Sequence, residues 1–138
     1  MDMTMSDGRK TFLIADDSRV VRSVARGVLS DLGFDIDEAE NGEVALQLCK
    51  NVLPDAILLD WNMPVMDGLT FLKNLRSLPG GTIPTVIFCT TDGEMTSIQT
   101  ALESGADEYI MKPFTAEIIR DKLEGIGLIQ QHYDDEAA

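Results

Sequence analysis

Four short apolar runs punctuate the chain: Phe12 to Ala15, Ala56 to Leu59, Val86 to Cys89, and Tyr109 to Met111. The first three are nearly continuous rather than alternating, as expected of parallel strands covered on both faces by helices. A different stretch, Phe34-Asp35-Ile36-Asp37, alternates apolar with acidic residues and suits a sheet edge, where one side stays wet. Segments with helical spacing lie between these runs. After Ser18, the apolar residues Val20, Val21, Val24, Ala25, Val28, Leu29 and Leu32 form a stripe that ends at Gly33, a good C-terminal stop. Asn41 can cap a second helix carrying Val44, Ala45, Leu48 and Cys49, and Asp67 can open a third through Leu69, Leu72 and Leu75. Glu94 to Ser104 and Thr115 to Gly125 complete the set, the last capped by Thr115. This fivefold β-α alternation predicts an α/β fold with a doubly wound parallel sheet, right-handed crossovers and helices on both faces.

A chain of 138 residues has room for about one such domain. The periodic part is expected to span 10–129, with 1–9 and the acidic 130–138 as tails. With 11 Lys and Arg against 24 Asp and Glu, the formal net charge is −13. That balance argues against nucleic acid and anionic membrane surfaces, which require clustered cations. No apolar run approaches the roughly 18 residues that span a bilayer, and Met1 to Lys10 is polar, so the expected location is the cytoplasm. Cys49 and Cys89 lack CxxC spacing and read as buried small hydrophobes.

In open α/β sheets, ligands bind beyond the carboxyl ends of the strands. Here the first strand runs into Asp16-Asp17, the third into Asp60, the fourth into Thr90-Thr91, and the fifth into Lys112-Pro113. Three carboxylates held together repel one another unless a cation compensates them. Mg²⁺ suits such a set, because it favours a few carboxylates plus water and phosphate oxygens. Lys112 and Thr90 then fit as a point charge and a hydrogen-bond donor for a phosphoryl group. Asp60 is the best-placed nucleophile for an aspartyl phosphate, since it ends a central strand alone.

In order and spacing, Asp16-Asp17, the stretch Asp60-Trp61-Asn62-Met63-Pro64-Val65-Met66-Asp67-Gly68, Thr90, and Lys112-Pro113-Phe114 resemble the receiver domain of two-component response regulators. Trp61, Asn62 and Tyr109 are most similar to the single-domain chemotaxis regulators of the CheY type. The resemblance covers roughly Lys10 to Ile129 and implies a flavodoxin-like fold with strand order 2-1-3-4-5. It implies that Asp60 accepts a phosphoryl group from a phosphohistidine on a histidine kinase. Asp17, Asp60 and the carbonyl of Asn62 would ligate Mg²⁺, with Asp16 acting through water. Lys112 would reach the phosphoryl group beside a cis bond to Pro113. Thr90 would move toward it and let Tyr109 swing inward, altering the face made by the fourth helix, fifth strand and fifth helix, a switch biased by local charge.

Several residues need the plainer reading beside this one. Asn41 and Thr115 are helix caps, and Met95 and Met111 read as core filler. His132 reads as a surface residue in the tail, outside the helical setting a phosphodonor histidine needs. Trp61, the only tryptophan, can report on the site. Arg19, Arg22 and Arg26 share one helical face and are either a solvated face or a docking site for an acidic phosphodonor domain. Asn62 and Asp92 sit where the family tunes hydrolysis of the acyl phosphate. Thr91 departs from the usual Ala or Gly and would narrow access to it.

The expected protein is a monomeric signalling switch rather than an enzyme, with a downstream target such as the flagellar motor switch. A receiver in a phosphorelay, in cell-cycle control or in a phosphate-sink role is the alternative within the fold. A different class, the haloacid-dehalogenase phosphatases, also uses an Asp nucleophile, Mg²⁺ and Lys. Its DxDx(T/V) motif follows a first strand, whereas Asp35-Ile36-Asp37-Glu38 follows a helix and lacks the Thr or Val.

Overall fold

The computed structural model describes residues 9–91 and 95–130, without the side chain of Met95. Asp92, Glu94 and His132 lie outside the described residues. The elements alternate as the periodicity predicts: β1 (Thr11–Ala15), α1 (Arg19–Asp31), β2 (Asp35–Ala39), α2 (Gly42–Asn51), β3 (Ala56–Asp60), α3 (Gly68–Ser77), β4 (Thr85–Thr90), α4 (Met95–Glu103), β5 (Glu108–Met111) and α5 (Ala116–Gly125). The strands form one parallel sheet in the order β2-β1-β3-β4-β5, which places β3 at the centre and the alternating strand at an edge.

Successive side chains of a strand point to opposite faces, so each apolar run feeds two cores. Leu13, Ala15, Ile57, Leu59, Val86 and Phe88 pack toward α2, α3 and α4, where Phe71, Leu72, Leu75 and Ala101 meet them. Phe12, Ile14, Leu58, Ile87, Cys89 and Ile110 pack toward α1 and α5, against Ala25, Leu29, Ile119 and Leu123. Both cysteines are free and buried, and burial pushes Cys49 up to about 11 and Cys89 up to about 12, which leaves them unreactive packing groups.

Four helices begin on capping side chains, those of Asn41, Asp67 and Thr115 as expected and that of Ser18 in addition. Ser18 accepts from Val21 N–H at 3.2 Å, Asn41 from Val44 at 2.8 Å, Asp67 from Thr70 at 2.8 Å, and Thr115 from Ile118 at 3.1 Å. Each such cap contributes about 1 kcal/mol by satisfying an orphan donor of the first turn. Gly33, after α1, has φ 98°, the left-handed conformation that a side chain would resist.

The stripe on α1 is narrower than its sequence suggests. Ala25 and Leu29 are buried and Val21 and Val28 half-buried, but Val20 and Val24 are 71% and 49% exposed. Seven apolar residues subtend a wider arc than the sheet covers, so the two valines spill over its margin.

Arg76 was not foreseen. Its guanidinium donates to the Gly81 carbonyl at 2.9 Å, to Pro84 at 2.8 Å and to Gly105 at 2.6 and 3.0 Å, and pairs with Asp107 at 3.2 Å. One side chain of α3 thus ties the turn before β4 to the turn before β5. Asp107 in turn accepts the N–H of Val86 at 2.8 Å.

Candidate functional site

Strand order decides what meets at the carboxyl rim. Asp60 and Thr90 are the last residues of β3 and β4, Asp16 and Asp17 follow β1, and Lys112 follows β5, its N–H donating to the Thr90 carbonyl at 2.8 Å. Asp16, Asp60 and Thr90 are buried, at 3%, 6% and 1% exposure, while Asp17 faces solvent. Oxygens of the three carboxylates lie within 4.8 Å of one another. The Lys112 ammonium reaches Asp16 at 2.7 Å and Asp60 at 3.2 Å.

One ammonium cannot balance three acids. Burial, then the charge of Asp16, raises Asp60 from 3.8 to about 6; Lys112 pulls it back only in part, and Asp17 adds to the rise. Burial alone would lower Lys112, but its hydrogen bond to Asp16 and the charges of Asp60 and Asp16 outweigh that and hold it above its ordinary value. The residual charge of about −2 and the close oxygens fit a hard divalent cation such as Mg²⁺.

The chain after Asp60 is held tightly. Gly68 N–H donates to the Trp61 carbonyl at 2.9 Å, and an ideal Cβ on Gly68 would run into the Asp60 carbonyl oxygen, so a side chain there would displace β3 itself. Gly42 N–H donates to Met66 O at 3.0 Å, fixing the loop to α2 as well. Between these anchors Val65 takes φ 70° in a γ-turn closed by Met66 N–H to Pro64 O at 2.7 Å, although it is β-branched and 75% exposed. Trp61 packs edge-on against Phe88, with ring centroids 4.7 Å apart, and Asn62 is exposed. The Lys112–Pro113 bond is cis.

Other predicted residues are placed as follows. Tyr109 is half-buried beside the α4-side core, on the face that carries Phe88 and Thr90. Thr91 is exposed next to Lys112. Arg22 and Arg26 do not form a free basic face with Arg19. Both pair with Glu38 of the edge strand, at 2.9 and 2.5 Å, and Arg22 also donates to the Asp16 carbonyl at 2.7 Å. The Arg26 hydrogen bond holds Glu38 below its ordinary value; burial opposes this, and Arg22 reinforces it. The acidic edge strand thus lies against these arginines and engages two of the three. What sequence reasoning missed is a groove of about 310 Å³ that opens onto Lys112, with Val20, Val24, Pro113 and Phe114 in its lining. The only available signal was a surplus of valine on α1.

The family model for the response regulator receiver domain matches residues 12–124. The chain belongs to that family. Among curated relatives, this receiver is 40% identical over 114 residues to chemotaxis protein CheY1 of Helicobacter pylori, covering 81% of this chain and 92% of the relative. It is 38% identical over 116 residues to a CheY homologue of Campylobacter jejuni, covering 83% and 89%. Vibrio cholerae CheY4, crystallised at low pH, superposes with a TM-score of 0.82 at 28% identity, over 86% of this chain and 99% of that one. A CheX–CheY–BeF3–Mg²⁺ complex from Borrelia burgdorferi gives a TM-score of 0.80 at 29% identity, over 86% and 89%. The receiver is thus a response regulator of the chemotaxis CheY type with the flavodoxin-like fold. Nothing supports the phosphatase reading: Asp35 and Asp37 lie on the edge strand β2, outside the acid cluster. No helix among the described residues is long and apolar enough to cross a membrane.

Proposed function

We propose that this receiver is a cytoplasmic switch phosphorylated on Asp60 by a histidine kinase and read by a downstream protein, such as the flagellar motor switch. The observation that carries this is Asp60 itself, a nearly buried carboxylate at the centre of the rim, faced by Lys112 and crowded by two acids. A carboxylate oxygen of Asp60 attacks the phosphorus of the phosphohistidine; the P–O bond forms, the P–N bond breaks, and the imidazole leaves with the electron pair. Lys112 stays within reach of the phosphoryl oxygens, and the Thr90 hydroxyl moves to donate to one of them. Asp16, Asp17, Asp60 and the Asn62 carbonyl would hold Mg²⁺, which offsets the repulsion between the acids and the incoming phosphoryl charge.

With Arg22 and Arg26 paired to Glu38, docking of the phosphodonor falls to Arg19 and to the groove beside Lys112, where Val20 and Val24 supply apolar contact. Output leaves by the α4-β5-α5 face, with Tyr109 as the moving part. Among the described residues, each of these elements carries one exposed large apolar side chain: Leu102, Ile118, and Met111, which is exposed rather than the core filler its sequence context suggests. Asn62, Thr91 and Asp92 set how readily water reaches the acyl phosphate.

The test is incubation with acetyl phosphate and Mg²⁺, followed by mass analysis of the intact chain. One phosphoryl group is expected on the parent and none on Asp60→Asn. Continuous release of phosphate from phosphate esters would overturn the switch in favour of a phosphatase.

A further inference from the structure

We propose that Lys122 and Glu108 form a latch over the Tyr109 ring, which sets how readily that ring leaves its present position. The inference rests on the reading of Tyr109 as the switch and adds to it the residues that bias it. The Lys122 ammonium stands 4.9 Å from the centroid of the Tyr109 ring and 3.1 Å from Oε1 of Glu108. The same Glu108 oxygen accepts the backbone N–H of Tyr109 at 2.9 Å. One carboxylate therefore fixes both the cation above the ring and the peptide from which the ring hangs. Lys122 comes from α5, while Glu108 and Tyr109 begin β5, so the latch crosses the junction of two elements of the proposed output face.

Burial gives the contact its weight. The Lys122 and Glu108 side chains are 33% and 29% exposed, so water screens them less than it would a free surface pair. The inner side of the Tyr109 ring packs against the α4-side core, which leaves the ring between apolar contacts and a cation. Inward movement of the ring toward the space vacated by Thr90 surrenders the cation–π contact and leaves the Lys122–Glu108 pair in place. Lys122 is thus a positioning residue that weights the unphosphorylated arrangement of the switch.

The full chain carrying Tyr133→Phe has Tyr109 as its only tyrosine, so ring-labelled tyrosine gives one set of NMR signals. The readout is the fraction of the ring in its second position, with and without saturating beryllofluoride and Mg²⁺. Lys122→Gln is expected to raise that fraction about two- to fivefold in the absence of beryllofluoride, the lower part of the cation–π range, since the Lys122 side chain is 33% exposed. Lys122→Arg, which keeps the cation, is expected to restore the parent value, and Glu108→Gln to give a smaller rise. A parent ring that responds to beryllofluoride, with Lys122→Gln populations unchanged, overturns the latch alone. The same follows if Lys122→Arg matches Lys122→Gln. A parent ring that ignores saturating beryllofluoride and Mg²⁺ overturns the Tyr109 switch and the latch with it.

Discussion

Replacing Asp60 by asparagine removes a charge that the fold tolerates poorly, so the variant is expected to be more stable than the parent when no divalent cation is present. Burial and the neighbouring acids raise the Asp60 carboxyl from 3.8 to about 6. That gap of about two units corresponds to a ceiling of about 3 kcal/mol at pH 7. Relaxation of the carboxylate toward water takes part of it back. Lys112 keeps Asp16 at 2.7 Å in either protein, so the expected gain is about 1–2 kcal/mol, or roughly 3–7 °C in Tm for a chain of this length. The sign follows from proton linkage. Because the folded value is raised, the folded parent binds the proton more tightly than the unfolded chain, and its stability falls as pH rises from 3.8 through about 6. The variant lacks this titration, so its advantage is absent near pH 3.5, opens across that window and is constant above it. Denaturant titrations of both proteins in chelator, at several pH values, measure the gap. Adding Mg²⁺ at about 100 times its Kd would stabilise the parent by about 2.7 kcal/mol and close or reverse the gap. A variant no more stable than the parent at pH 7, or a gap of equal size at pH 3.5, would refute the electrostatic account of the site.

Val65→Gly relieves a β-branched residue at φ 70° and loses little burial, so denaturant unfolding should show a gain of about 1 kcal/mol; a loss would mean that the γ-turn is unstrained. Arg76→Met strips three backbone carbonyls and Asp107 of their shared donor and should cost about 2–4 kcal/mol in the same assay. Thr91→Ala is expected to speed the decay of phosphorylated protein, followed by mass analysis after removal of the phosphodonor; an unchanged rate removes Thr91 as a gate.

Which parts of this molecule could be read in advance follows from where the signals live. Ile57-Leu58-Leu59 is apolar without alternation because both of its faces are covered, and the polar residue ending that run then has to lie on the rim. Asp16, Asp60 and Lys112 were legible for that reason, and the caps Asn41, Asp67 and Thr115 because their partners lie only three residues away. Arg76 was not legible, because most of its partners are backbone carbonyls, which every residue has and no sequence pattern marks. The pairing of Arg22 and Arg26 with Glu38 depends on how α1 lies across β2, a tertiary fact beyond helical periodicity. The same packing decided which valines of α1 were left outside.

The edge strand has a consequence for how the molecule behaves in a crowd. Asp35 and Asp37 project into solvent from β2, and Arg26 donates to the Ile36 carbonyl at 3.2 Å, occupying an acceptor of the outermost strand. A second copy laying its own β2 alongside would bring its carboxylates next to these and find that acceptor already engaged. The edge of the sheet is therefore a poor template for its own extension.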